Sequence, residues 1–423
     1  MLRRHRHEAV LGIPPRLLVG VCAVGAMGGV VGAGYVGLMH LLDRILGPGA
    51  HSGAVQIVIL TCVGAVVALV VRFVGSPGDV ELLVDNIHVL GGKEDLRELR
   101  SLLPVSLLCI SAGGAMGPEA PLVQTTGSLG SWLARRGRAS RSELRILTIT
   151  GMAAGFTVLF GTPIGGAFFA LEILHRRGME YYEALVPALV GSLFGYGVHA
   201  ILTGVGLRPI WEFPEAGSLS LVDFGWALLA GLGGAAIGVA FALGASWLRR
   251  GLSVVPTTLR PVLGGLALGL LALWSPFALT FGEQQIQELI DGNLAVKVLL
   301  VALVAKLIAS VVTLCTGWRG GFIIPLFFCG AAAACAIHTV VPSTNQAALM
   351  AAFMAAACVA VTKTPVGSTL VVAGMAGLPL LPTTLLAAVT ALLITNRFGL
   401  IHSQRDRTVP SSPPQTGAAD AAA

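Results

Sequence analysis

Eight long stretches of this 423-residue chain contain no Asp, Glu, Lys or Arg: residues 17–42, 54–71, 146–171, 184–207, 224–248, 261–282, 320–362 and 364–396. Each reaches roughly the 18 to 20 residues that cross a bilayer as a helix, and the longest must hold two segments. Only 11% of the residues are charged and 55% are hydrophobic, whereas a soluble domain carries about 25% charged residues to cover its surface. The expectation is an all-α polytopic membrane protein with about ten to twelve crossings plus several half-crossings. The basic N-terminus, Met1 to Arg16, leads into an apolar stretch too long for a signal peptide and reads as a retained first helix. The net charge of +6 sits in short loops, which fits positive-inside topology and not nucleic-acid binding.

One four-residue phrase occurs twice, as Thr162-Pro163-Ile164-Gly165 and Thr364-Pro365-Val366-Gly367. Each copy follows a Gly-rich segment that ends in proline. The first is Gly113-Gly114-Ala115-Met116-Gly117-Pro118-Glu119-Ala120-Pro121; the second is Gly317-Trp318-Arg319-Gly320-Gly321-Phe322-Ile323-Ile324-Pro325. From Pro121 to Pro163 is 42 positions, and from Pro325 to Pro365 is 40. Gly/Pro-interrupted apolar segments at matching places in two halves point to a transport site made by broken helices.

Basic clusters at Arg3/Arg4/Arg6, Arg135/Arg136/Arg138/Arg141/Arg145, Arg176/Arg177 and Arg249/Arg250 mark the expected cytoplasmic side. The thirty residues between Arg145 and Arg176 would reach about 45 Å as one helix, yet both ends carry cytoplasmic signals. A hairpin of two short helices meeting near Pro163 fits both facts, and a single proline-kinked helix is the alternative. The more polar segment Val74 to Leu103 is expected to be a loop and a surface helix at the membrane edge. The tail from Ser403 is expected to be disordered, with no soluble regulatory domain after it.

Three Gly/Pro breaks can expose helix N-termini: Gly75-Ser76-Pro77-Gly78, Gly117 to Pro121, and Gly320 to Pro325. Unpaired N–H groups at such ends carry about half a positive charge. Several of them, with a hydroxyl such as Ser76, would bind an anion weakly enough to release it. The blander reading is that these glycines only permit close helix packing. Glu119 stands in an otherwise uncharged stretch, where an ionisable residue is costly unless it faces a cavity or partner. At a helix N-terminus its carboxylate would compete with a permeant anion, and protonation would release it. Glu172 precedes His175-Arg176-Arg177, where it fits an interfacial salt bridge or a proton-path role. Lys306 and Lys363 are lone cations in apolar surroundings, expected to snorkel, with the shaping of an anion-attracting vestibule as the alternative. The seven cysteines (22, 62, 109, 315, 329, 335, 358) are expected to pack in apolar surroundings, and His199 and His338 lack ligand-spaced partners. No metal, cofactor or enzymatic signature such as His-Glu-x-x-His is found.

At these residues the chain resembles the CLC family of chloride channels and chloride/proton exchangers. Gly117-Pro118-Glu119-Ala120-Pro121-Leu122-Val123-Gln124 is similar to the family's G-x-E-G-P-x-V-Q segment, with Ala120 in place of a glycine. Gly320 to Pro325 resembles its G-x-F-x-P segment with Phe322 one place early and Ile323 at the usual position. Gly75-Ser76 matches the start of its G-S-G-I-P segment. The resemblance covers roughly residues 15 to 400. It implies a CLC-type inverted repeat with broken and re-entrant helices, in halves of roughly 16–205 and 220–400 within a 1–402 transmembrane domain. It also implies a homodimer in the cell (plasma or inner) membrane, with both termini cytoplasmic, that passes chloride. Glu119 would be the gate, with Ser76, Gly117, Ala120, Phe322, Ile323 and Ile324 around the anion. Two departures bear on mechanism. The family's internal exchanger glutamate falls on Ile173, one place after Glu172, and a one-residue shift turns a helical side chain by about 100°. The family's pore tyrosine has no evident counterpart, and His402 or Ser403 lies near its place. Channel, proton exchanger and fluoride exporter all remain open, as does an unrelated inverted-repeat transporter for another ion.

Overall fold

Glycine and proline divide the apolar sequence into helices that recur in order. The computed structural model describes residues 13–78, 80–94, 96–175, 179, 181–204, 210–397, 401 and 404. The first eight α-helices are α1 (Pro15–Leu46), α2 (Gly53–Val74), α3 (Val80–Val89), α4 (Leu99–Ser111), α5 (Glu119–Arg136), α6 (Arg141–Phe160), α7 (Pro163–Glu172) and α8 (Leu185–Thr203). The next eight are α9 (Leu221–Gly251), α10 (Arg260–Trp274), α11 (Glu283–Asp291), α12 (Val296–Cys315), α13 (Ile323–Val340), α14 (Gln346–Thr362), α15 (Pro365–Ala376) and α16 (Leu381–Thr395). Long, short and broken helices follow in the same sequence. Helices α1 and α9 have 32 and 31 residues, α5 and α13 have 18 each, and α7 and α15 have 10 and 12.

The packing recurs as well. Helix α5 lies against α6 as α13 lies against α14, and α1 against α8 as α9 lies against α16. The two sets meet where α7 packs on α15 and α2 on α10. Glycine permits the closest contacts: a Cβ at Gly25 of α1 would stand 2.9 Å from Gly191 Cα of α8. Such small-residue seams bring membrane helices together without a hydrophobic drive. Among the described residues eight helical segments are long and apolar enough to span a bilayer, and α4, α10, α14 and α15 are shorter apolar helices. This is the all-helical, multi-pass membrane architecture expected from the uncharged stretches.

The two Thr-Pro phrases are hairpin corners. Helix α6 ends at Gly161, whose φ of 66° is left-handed, and Pro163 opens α7. Helix α14 ends at Lys363 with φ 61°, and Pro365 opens α15. A left-handed cap followed by a proline at the first helical position stops one helix and starts the next, so a single kinked helix is excluded.

Several expectations change. Lys306 and Lys363 do not snorkel. Lys306 is fully buried and donates to Leu279 O, Thr280 O and Gln285 Oε1 at 2.7, 2.6 and 2.8 Å. Buried Lys363 donates to Ala360 O, Thr395 O and Thr395 Oγ1 at 2.6, 2.7 and 2.8 Å. Each ammonium thereby meets carbonyls left over at the ends of helices or turns, an alternative to reaching water. The segment after Val74 is not a surface element throughout, because Leu83, Val84 and Ile87 of α3 are fully buried. Cys62 is exposed and Cys22 half-buried, while the other five cysteines are buried. Residues 1–12, Arg176, Arg177, His402, Ser403 and the tail beyond 404 lie outside the described residues.

Candidate functional site

Helices α5 and α13 start alike. Their caps are Pro118 and Phe322, and each has proline as its third residue, Pro121 or Pro325. Proline removes one orphan donor, leaving the N–H groups of Glu119 and Ala120 on one helix and of Ile323 and Ile324 on the other at the exposed ends. Just upstream, Gly117 and Gly321 exchange two backbone hydrogen bonds, of 2.7 and 2.6 Å, in an isolated antiparallel bridge. The bridge ties the two helix starts side by side.

Glu119 closes the junction. Its side chain is 1% exposed, and Oε1 accepts a hydrogen bond from the Ile324 N–H at 2.6 Å. Among the described residues Oε2 has no hydrogen-bond partner. Glycine at 321 makes room for this side chain: a Cβ there would lie 2.7 Å from Glu119 Cβ and 2.9 Å from Ala120 N. A carboxylate on a helix N-terminus occupies the place that backbone dipoles offer to a free anion. The side chain therefore takes up a helix N-terminus of the kind that can bind an anion.

One cavity adjoins this region, and a second lies by the other end of α4. The first, of about 220 Å³, is lined by Ala120, Pro121, Gln124, Phe322, Arg249 and Arg319 among others, with no acidic side chain among the described residues of its wall. The amide of Gln124 also reaches Glu98 Oε2 at 3.5 Å. The other, of about 250 Å³, is lined by His40, Asp43, Ser111, Thr280 and Glu283 among others. Leu102 of α4 faces the first cavity and Ile110 the second, eight residues or about 12 Å apart along the helix. The first carries Arg249 and Arg319, and the second carries Asp43 and Glu283 beside His40.

Of the residues singled out by sequence, Gly117, Glu119, Ala120, Phe322, Ile323 and Ile324 come together at this junction. Ser76 does not. It is exposed and does not line the basic cavity, whereas Gly78 does. The cause is Gly75, whose φ of 115° and ψ of 166° belong to a region only glycine enters readily; the chain turns there so that Pro77 and Gly78 go inward. Glu172 is buried at the end of α7, but its partners are not arginines: Oε1 accepts from Val366 N at 3.2 Å and Oε2 from Gly367 N at 2.6 Å. It caps α15 as Glu119 caps α13. Nothing in the sequence separates Arg319 from its glycine-rich surroundings, or predicts the cluster of His88, His175 and Tyr181. Their rings lie 4.9 and 5.2 Å apart, with Arg145 at 4.4 Å over Tyr181.

Residues 80–396 match the family model described as the voltage gated chloride channel. The chain belongs to this family. Among curated members of comparable sequence, the chloride/fluoride channel protein of Pseudomonas syringae pv. tomato is 27% identical over 371 residues, covering 82% of this chain and 78% of that protein. Two solved structures share the chloride-channel-family fold. A slow cyanobacterial Cl−/H+ antiporter superposes with a TM-score of 0.76 at 23% identity, covering 91% of this chain and 96% of that one. A CLC-type fluoride/proton antiporter gives 0.78 at 22% identity, covering 95% and 100%.

Proposed function

We propose that this protein moves chloride across the cell membrane along a path that Glu119 gates, and that protons govern the gate. The observation that carries this reading is the 2.6 Å hydrogen bond from Ile324 N–H to the Glu119 carboxylate. In that position the carboxylate holds the helix N-terminus that a chloride would use. Protonation removes its charge, weakens its claim on the N–H, and lets the side chain leave and the anion enter. The acidic cavity with Glu283 and Asp43 supplies protons to Glu119, and the basic cavity with Arg249 and Arg319 gathers anions. Basic cavity and α9 C-terminus are cytoplasmic in this reading, by the positive-inside signal of Arg249 and Arg250.

Glu172 is the internal proton acceptor. Its neutral form gives up charge-assisted bonds to two amides of α15, so its proton occupancy is coupled to the start of that helix. The active unit is a homodimer with one path per subunit, as the family resemblance implies, and no enzymatic step is involved.

A second reading, fluoride as the carried anion, is favoured by the name of the Pseudomonas syringae relative, a chloride/fluoride channel protein. Efflux from proteoliposomes loaded with either halide, with a potassium ionophore as shunt, separates the two. Chloride release well above empty liposomes supports the first reading. Fluoride release alone would replace it with the second, and release of neither would refute both.

A further inference from the structure

A cleft of about 470 Å³ opens between the start of α1, the end of α5 and the start of α6. Each helix lines it in the same way. Arg16 is followed by Gly20 and Ala23 on α1, Arg136 is preceded by Trp132 on α5, and Glu143 is followed by Leu147 on α6. Residues three or four apart share a helix face, so each helix sets a charge at its end and an apolar group about 5 Å deeper, one turn in. Helices α1 and α6 are both long and apolar enough to span a bilayer, and both begin here. The charged rim therefore lies at the membrane surface and the apolar floor at the depth of acyl chains. Val19, also in the wall and 70% exposed, carries the floor out onto the lipid-facing side of α1.

The rim is held in place. Arg16 Nη2 donates to Gly137 O at the C-cap of α5, and the Arg136 guanidinium lies 5.8 Å from the centre of the Trp132 ring. Glu143, the one carboxylate in the wall among the described residues, is engaged by the capping box of α6, where its Oε2 accepts from Ser140 N at 2.7 Å. Two guanidinium charges thus stand over an apolar floor, with the single opposing charge tied to a helix N-terminus.

We propose that this cleft binds an anionic phospholipid of the cytoplasmic leaflet, with its phosphate at Arg16 and Arg136 and one acyl chain along Gly20, Ala23 and Leu147. Charge complementarity selects the occupant: guanidinium N–H groups match phosphate oxygens in geometry as well as charge. The surrounding arginines at 135, 138, 141 and 145 put this rim on the cytoplasmic side, where basic pockets between membrane helices meet anionic headgroups. Trp132 stands at headgroup depth, as interfacial tryptophans do. Glycine at 20 keeps the floor open, since even a Cβ there would touch Leu147 Cδ2 at 3.4 Å. The site uses no residue of the Glu119 junction, so it stands or falls apart from the anion-path reading.

The test is native mass spectrometry of the full chain in detergent, titrated with palmitoyl-oleoyl phosphatidylglycerol, with the phosphatidylcholine analogue and inorganic phosphate as controls. Wild type retains phosphatidylglycerol well above phosphatidylcholine, and inorganic phosphate does not displace it. Arg16→Gln with Arg136→Gln weakens retention roughly thirtyfold, about fivefold per arginine. Ala23→Trp keeps both arginines but fills the floor, and weakens it about tenfold, as two methylenes returned to water would. If the double variant does not fold without the Arg16 bond to Gly137, Arg136→Gln alone decides, with the fivefold loss expected. Equal retention of the two lipids, or wild-type retention in Arg136→Gln and Ala23→Trp, overturns the proposal. Displacement by inorganic phosphate does so too, since it would make this a site for a free anion and not for a lipid.

Discussion

Glu119 reaches from the first residue of α5 to the Ile324 N–H of α13 at 2.6 Å, so one copy of the repeated break is sealed by the acid of the other. The second copy has Ile323 and Ile324 where the first has Glu119 and Ala120. Two helix starts with the same proline spacing thus have complementary roles, one offering donors and the other the acceptor.

This arrangement makes glycine at 321 necessary. In Gly321→Ala the new methyl would stand 2.7 Å from Glu119 Cβ, closer than side chains tolerate, and the carboxylate must leave the Ile324 N–H. The expected result is faster chloride leak with a weakened response to pH. Adding Glu119→Gly removes that Cβ and should relieve part of the crowding, so the double variant should be more stable than Gly321→Ala by thermal denaturation, while Glu119→Ala, which keeps the Cβ, should not. If Gly321→Ala leaves gating intact, the close packing of 321 on 119 is not what seats the carboxylate.

A second prediction concerns Glu172. Glu172→Gln keeps an oxygen for the Val366 and Gly367 N–H groups but cannot carry a proton. Chloride flux should persist while proton movement accompanying it falls to background, measured with external pH recording. Glu172→Leu leaves both amides unpaired and should lower stability by about 1–3 kcal/mol. Normal proton movement in Glu172→Gln would remove this residue from the proton path.

Lys363 closes the end of α14 in a left-handed conformation at φ 61° and donates three hydrogen bonds, one back to Ala360 of α14 and two to Thr395 that tie α14 to α16. Lys363→Met should destabilise the protein by about 2–4 kcal/mol, since the acceptors at Ala360 and Thr395 remain buried and unpaired. Lys363→Gly would relax the backbone, as Gly161 does at the matching corner, yet lose the same bonds. Its thermal stability should therefore fall between wild type and Lys363→Met. A glycine variant as stable as wild type would show the ammonium contacts to be unimportant.

The broken helices and their corners were legible because proline and glycine act locally: Thr162-Pro163 and Thr364-Pro365 can hardly sit inside a helix, whatever packs around them. The buried place of Glu119 at a helix start was legible because a lone acid in an apolar stretch needs a partner there. Ser76 was not, since one positive φ at Gly75 decides which way the next three residues face. Lys306 and Lys363 misled because their acceptors come from residues 21 to 32 positions away in sequence, apart from Ala360. Arg319 was hidden for the same reason, its partner loop around Gly117 being about two hundred residues away. Local conformational rules survive without the fold; side-chain destinations that cross between repeats do not.

The most direct measurement is chloride efflux as a function of pH from proteoliposomes containing wild type or Glu119→Gln, with external pH recorded throughout. Wild type should release chloride faster as pH falls, because protonation removes the tethered anion, and should take up protons in proportion. Glu119→Gln should release chloride at a rate independent of pH with no proton uptake. A Glu119→Gln protein that keeps the wild-type pH dependence, or that keeps its proton uptake, would contradict the claim that this carboxylate is the gate.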